Sequence, residues 1–153
     1  MNLEPDFSDF LAALINQKVD FMIVGAYALA HHGAPRATRD FDVWVRPEPE
    51  NARAVIRALA AFGAPLVVTE QDLLTGKVVQ IGVEPVRIDV LNELSGVTPA
   101  EIWESREEGK IGPHRVFFIG RKTYVKNKLA AGRRKDLSDL EAIGELPPQD
   151  RSA

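Results

Sequence analysis

The sequence predicts a single α/β (α+β) domain, one mixed sheet flanked by helices, and three observations carry that expectation. Short apolar runs of strand length alternate with longer stretches whose apolar residues recur at helical spacing, as in a layered domain of sheet and helix. The stretch Asp20 to Val45 reads as strand, glycine turn, short helix, loop and strand in immediate succession. The chain has 153 residues, 45% hydrophobic and 27% charged, and a chain of that length buries about 70% of its unfolded surface around one core. Residues 1–145 are expected to form the domain, and the tail 146–153, LPPQDRSA, to be flexible.

Each element has its own signal. Phe7, Phe10, Leu11, Leu14 and Ile15 recur at helical spacing after Pro5, which predicts an opening amphipathic helix ending near Gln17. Phe21 to Val24 is a short, wholly apolar strand of the kind buried on both faces. Ala26 to His32 is a helix closed by Gly33, and the loop Ala34 to Arg39 leads into a strand that starts at Asp40. Pro47 and Pro49 end that strand and start a helix with an apolar stripe of Ala52, Val55, Ile56, Leu59 and Phe62, capped by Gly63. Leu66 to Val68 reads as a strand, and Lys77 to Val83 with Val86 to Leu91 as a hairpin around Glu84-Pro85. Thr98-Pro99-Ala100-Glu101 is a capping box with Pro at the first helical position, predicting a helix to about Glu108 that Gly109 ends. Arg115 to Ile119 is a last strand, followed by a helix from Thr123 to Ala131, a break at Gly132, and a helix carrying Leu137, Leu140 and Ile143.

Composition narrows the function classes. There is no cysteine, which removes disulfides and thiolate zinc sites and fits a reducing compartment. No run approaches the ~18 apolar residues that cross a bilayer, and Met1 to Phe10 is acidic where a secretion signal is basic. The expected location is the cytoplasm, with no membrane partner. A net charge of −3 and a pI of about 5.6 argue against broad binding to nucleic acid but leave room for a local basic patch.

Asp40 and Asp42 stand two residues apart on a strand otherwise built from Phe41, Val43 and Val45. Alternation puts both carboxylates on one face, roughly 6.6 Å apart along the backbone. Such a pair is either a divalent-cation site or the wet face of an edge strand. Upstream, a strand runs into Gly25 and then directly into a helix, bringing free backbone N–H groups to a place where a phosphate can sit.

The arrangement Val24-Gly25-Ala26, thirteen intervening residues, then Asp40-Phe41-Asp42-Val43 resembles the nucleotidyltransferase superfamily typified by DNA polymerase beta. The run GAYALAHHGAPRATRDFDVWV is similar to a branch of small nucleotidyltransferase-like proteins related to the abortive-infection toxins. The resemblance covers Phe21 to Val45, and more loosely Val86 to Val90 and Lys126 to Leu140. It implies a nucleotidyltransferase fold, with a third carboxylate, Asp89, on a strand beside the aspartate pair. Asp40, Asp42 and Asp89 would then be the catalytic carboxylates and the ligands of Mg²⁺ (or Mn²⁺), the cofactor such transfer requires. Ala26 departs from the superfamily's preferred Gly or Ser.

The phosphate-binding candidates are Gly25, Ala26, Arg36, Thr38, Lys126 and Lys128. Arg36, Thr38 and Arg39 lie in the loop before the aspartates, where a guanidinium serves either a phosphate or the carboxylates as counter-ion. Asp89 has an alternative as well, an ion pair with Arg87 or a cap on the sheet. His31 and His32 end a helix, where the dipole favours a histidine cation and a capping role over the alternatives of catalysis or metal ligation. Seven cations fall between Arg121 and Lys135, either a solvated face or, as the resemblance implies, a phosphate-facing helix followed by the Lys135-Asp136 turn, with Asp136 and Asp139 tying the helix back to the basic loop. Tyr27, Trp44 and Trp103 are candidates to stack on a base but fit core positions equally well.

Two functions from different classes follow. One is a metal-dependent enzyme moving a nucleoside monophosphate from a nucleoside triphosphate to a hydroxyl on RNA, a protein or a small molecule, with a toxin or antitoxin protein as a further partner. The other is a nucleotidyltransferase-fold binding or regulatory module, which Ala26 and the lack of a separate acceptor domain favour. Nonspecific nucleic-acid binding through the basic segment is a third.

Overall fold

Six strands form one mixed sheet in the order β3-β4-β2-β1-β6-β5. The computed structural model describes residues 3–35, 40–64, 67–83 and 85–147. Its elements are α1 (Pro5–Asn16), β1 (Phe21–Ile23), α2 (Gly25–His31), β2 (Asp40–Val45), α3 (Pro49–Phe62), β3 (Val79–Ile81), β4 (Arg87–Leu91), α4 (Pro99–Glu104), β5 (Glu107–Ile111), β6 (His114–Phe118), α5 (Arg121–Ala131) and α6 (Arg134–Ala142). The short, wholly buried β1 lies in the middle, antiparallel to β2 and parallel to β6. β2 runs parallel to β4, with Asp40 opposite Arg87 and Asp42 opposite Asp89.

The alternation along β2 assigns its two faces. Phe41 and Val43 are fully buried, and Phe41 stacks on Phe7 of α1 at 4.9 Å while meeting Tyr27 of α2 edge-on at 5.1 Å. α3 joins this layer through the edge-on pair Phe10–Phe62. Asp40 and Asp42 therefore point to the opposite face, away from the aromatic layer.

Most predicted elements stand where their signals put them. α3 ends at Gly63, which takes the left-handed conformation at φ 85°, and the Thr98 capping box with Pro99 opens α4. Two assignments need correction. Val67 and Val68 are irregular rather than strand, while Leu66 lies outside the described residues. The helix expected to reach Glu108 stops at Glu104, and Glu107–Ile111 is an edge strand paired antiparallel with β6. Ser105 makes the break: its hydroxyl donates to the Ile102 carbonyl at 2.7 Å and accepts from the Gly120 amide at 3.0 Å. Gly109 is not a helix stop. A Cβ there would lie 2.7 Å from the Phe118 ring, so its bare backbone is what lets that ring lie across β5.

Candidate active site

The two parallel strands β2 and β4 put Asp40, Asp42, Arg87 and Asp89 on one face, because the register is even and side chains alternate. With Val24 and Gly25 they form one wall of a cleft of about 520 Å³, faced by Lys128 of α5 and by Arg133, Lys135 and Asp136 at the start of α6. Gly25 sits at φ 67° directly beneath Asp42, and a Cβ on it would lie 3.0 Å from both Cβ and Cγ of that aspartate. Glycine is thus required twice over here, by the positive φ and by the close approach.

The negative wall is only partly neutralised. Arg87 Nη2 donates to Asp40 Oδ2 at 2.9 Å and to Asp89 Oδ2 at 3.2 Å, and the Gln80 carboxamide on β3, once turned so that its oxygen faces the guanidinium, accepts from Arg87 Nε at 3.0 Å. The alternative of an Asp89–Arg87 pair is therefore realised together with the shared face, rather than instead of it. Burial pushes the Asp42 carboxyl up to about 6, and the neighbouring Asp89 and Asp40 charges push the same way. Asp89 Oδ1 is buried without a hydrogen-bond partner among the described residues.

The positive wall is built on a buried ion cluster. Asp136 is fully buried; it accepts from Lys128 Nζ at 3.2 Å, from Arg133 Nε at 2.7 Å and from the Arg133 backbone amide at 3.1 Å. Burial pushes its carboxyl up, but these hydrogen bonds and the Lys128 charge outweigh that and hold it below the usual range. Asp139 lies 3.9 Å from Lys128 Nζ. The aspartates of α6 thus tie α5 to the basic turn.

The remaining candidates separate. Lys126 turns away from the cleft to pair with Glu101 at 2.6 Å and does not line it; Lys128 and Lys126 are two positions apart on a helix and cannot share a face. Ala26 is buried in α2, and its side chain does not line the cleft, so only its backbone is available to a phosphate. Arg36, Thr38 and Arg39 lie outside the described residues. Tyr27 and Trp44 are buried, while Trp103 packs under the guanidinium groups of Arg46 and Arg106, apart from the cleft. His32 departs from the expected cation: burial lowers its pKa, leaving it neutral near pH 7. Arg87 was expected only as an ion-pair partner of Asp89, and Arg133 and Lys135 only as members of the basic segment, yet all three line the cleft. For Arg87 the signal was present, since a residue two before Asp89 on a strand must share its face.

A divalent cation fits the chemistry of the acidic wall. The donors are all carboxylate oxygens, which suit Mg²⁺ or Mn²⁺, and the raised Asp42 and the orphaned Asp89 Oδ1 mark negative charge in want of a cation. Asp40, Asp42 and Asp89 would hold it. With Arg87 bridging two of them, the three carboxylates do not bring one oxygen each within 4.8 Å of one another, so coordination by all three requires that guanidinium to turn aside.

No family model and no curated protein sequence matches the chain. A solved structure from Thermotoga maritima, described as a putative nucleotidyltransferase, matches over 88% of this chain and 88% of its own, with a TM-score of 0.61 and 14% sequence identity. This chain has a nucleotidyltransferase-like fold. The mixed sheet with flanking helices is the architecture that the sequence predicts. No helix among the described residues is long and apolar enough to cross a membrane.

Proposed function

We propose that the protein is a metal-dependent nucleotidyltransferase that moves a nucleoside monophosphate from a nucleoside triphosphate to an acceptor hydroxyl. The observation that carries this reading is the pairing of Asp42 with Asp89 on adjacent parallel strands, with Asp40 beside them and the basic wall of Lys128, Arg133 and Lys135 across the same cleft. A triphosphate needs both: cations around its outer oxygens and carboxylates for the metal ions at the reacting phosphorus.

In the reaction, the acceptor oxygen forms a bond to the α-phosphorus, the bond from that phosphorus to the bridging oxygen breaks, and pyrophosphate leaves. Mg²⁺ would supply charge neutralisation and a more acidic acceptor hydroxyl. The chain's own residues bind and orient. Gly25 lets the Asp42 carboxylate lie against the backbone, Arg133 and Lys135 meet the departing pyrophosphate charge, and the carboxylates that line the cleft offer acceptors for the hydroxyl proton. The acceptor belongs to the class RNA, protein or small molecule, and a role beside an antitoxin partner rests on the resemblance of the Gly25 to Val45 run alone.

The test is incubation of the protein with each α-labelled nucleoside triphosphate, Mg²⁺ and a cell extract. The proposal expects label on a macromolecule or metabolite and none with Asp42→Asn. The binding-module reading is favoured by the Arg87 bridge across Asp40 and Asp89 and by Ala26. It would be preferred if nucleotide and metal bind without any transfer.

A further inference from the structure

We propose that His31, His32 and Glu107 form a second metal site, for Zn²⁺ or a similar borderline divalent ion, that clamps the end of α2 to the edge strand β5. One ligating atom from each of the three residues lies within 4.8 Å of the other two, a spacing no other described set of three such residues reaches. None of the three lines the aspartate cleft, and the inference does not depend on the nucleotidyltransferase reading.

Each donor is held by a different neighbour that leaves a ligating atom over. The His31 ring lies flat on Phe118, with centroids 4.2 Å apart and planes 4° from parallel, which fixes its plane. His32 Nε2 is 2.8 Å from the Ile119 carbonyl oxygen; a carbonyl only accepts, so that nitrogen carries the hydrogen and Nδ1 keeps the lone pair. A metal-bound histidine is usually oriented in this way, by a hydrogen bond from its other nitrogen. Glu107 Oε2 accepts from the Arg121 backbone amide at 2.9 Å, leaving Oε1 to face His31 Nε2 at 3.5 Å. That gap is long for a hydrogen bond. It matches the edge of a tetrahedron with ~2.0–2.2 Å bonds, about 3.3–3.6 Å, the geometry in which zinc takes two histidines, one carboxylate and a water.

The local charge allows a cation. The nearby Arg121 guanidinium, whose Nη1 donates to the His32 carbonyl at 3.1 Å, is matched by Glu145 at 2.6 Å, so the Glu107 charge remains to be met. Two imidazoles and one carboxylate select Zn²⁺ over Mg²⁺, which prefers oxygen alone. The aspartate cleft and this cluster therefore call for different metals.

The experiment titrates chelator-stripped protein with ZnCl₂ by calorimetry, using wild type, Asp42→Asn, His31→Ala and Glu107→Gln, and follows the histidine ring nitrogens by ¹⁵N NMR. One Zn²⁺ per chain is expected in wild type and in Asp42→Asn, with at least tenfold weaker binding in His31→Ala and in Glu107→Gln. The rings of His31 and His32 should shift, while His114, which bonds Ser8 Oγ at 2.8 Å, should not. Glu107 is on the surface, so Glu107→Gln decides the matter if His31→Ala fails to fold. Absence of Zn²⁺ binding, equal binding by Glu107→Gln, or loss of binding in Asp42→Asn overturns the proposal.

Discussion

Replacing Asp42 with Asn should make the metal-free protein more stable at neutral pH while destroying its capacity to hold a divalent cation in the cleft. Burial, with Asp89 and Asp40 alongside, raises the Asp42 carboxyl from 3.8 to about 6 in the folded chain. An acid that binds its proton more tightly when folded favours the fold at low pH. That contribution is complete below the unfolded value and is lost as pH rises through the interval to the folded value. Above about pH 6 the ionised carboxylate therefore costs stability, by at most about 3 kcal/mol for a shift of this size, and about 1–3 kcal/mol once its partial exposure to the cleft is allowed for. Asparagine keeps the shape and removes the charge. Thermal melts in chelator at a series of pH values should show Asp42→Asn above wild type by about 2–12 °C at pH 8, at ~2–4 °C per kcal/mol for a chain of this length. The gain should shrink toward pH 4. A variant no more stable than wild type at pH 8, or one with the same gain at pH 4 and pH 8, would refute the idea that uncompensated charge is stored at this position.

Other perturbations separate the roles of neighbouring groups. Arg87→Ala should lower metal-free stability, because it strips Asp40 and Asp89 of a shared partner, yet tighten Mn²⁺ binding in calorimetry, because the guanidinium no longer competes; weaker Mn²⁺ binding would mean that Arg87 organises the site. Gly25→Ala should cost about 1–2 kcal/mol for the positive φ alone and displace Asp42, so that nucleotide binding is lost even where the variant remains folded by circular dichroism. Lys128→Ala should destabilise by about 1.5–3 kcal/mol in denaturant titration, since it removes one charged hydrogen bond from buried Asp136, which keeps Arg133. Lys126→Ala should leave nucleotide affinity unchanged, because Lys126 is spent on Glu101; a tenfold loss would contradict the geometry.

The parts of this fold that were legible in the sequence are those where local chemistry leaves one choice. Pro at a first helical position, Thr98 with Glu101, and Gly63 after an apolar stripe mark ends that tertiary context has no reason to move. Asp40 and Asp42 were legible as a pair because strand alternation is strict. Their partnership with Asp89 was legible only through the acid within an apolar run and the family resemblance, because it depends on β2 and β4 being neighbours in register. β5 was misread because its glycine serves the Phe118 ring of a neighbouring strand, and a close approach of that kind leaves no local trace. Lys126 and Lys128 were treated alike because composition does not say which side of a helix meets Glu101 and which meets Asp136.

The central claim is that Asp40, Asp42 and Asp89 hold a divalent ion together with a nucleoside triphosphate in the cleft between β2, β4 and the α5–α6 turn. The most direct measurement is paramagnetic broadening of backbone amide signals by substoichiometric Mn²⁺ in the presence of a non-hydrolysable nucleoside triphosphate. The signals of Gly25, Asp42, Asp89 and Lys135 should broaden first, and those of Trp103 and Lys126 should persist. Broadening that leaves Gly25, Asp42 and Asp89 untouched would contradict the claim.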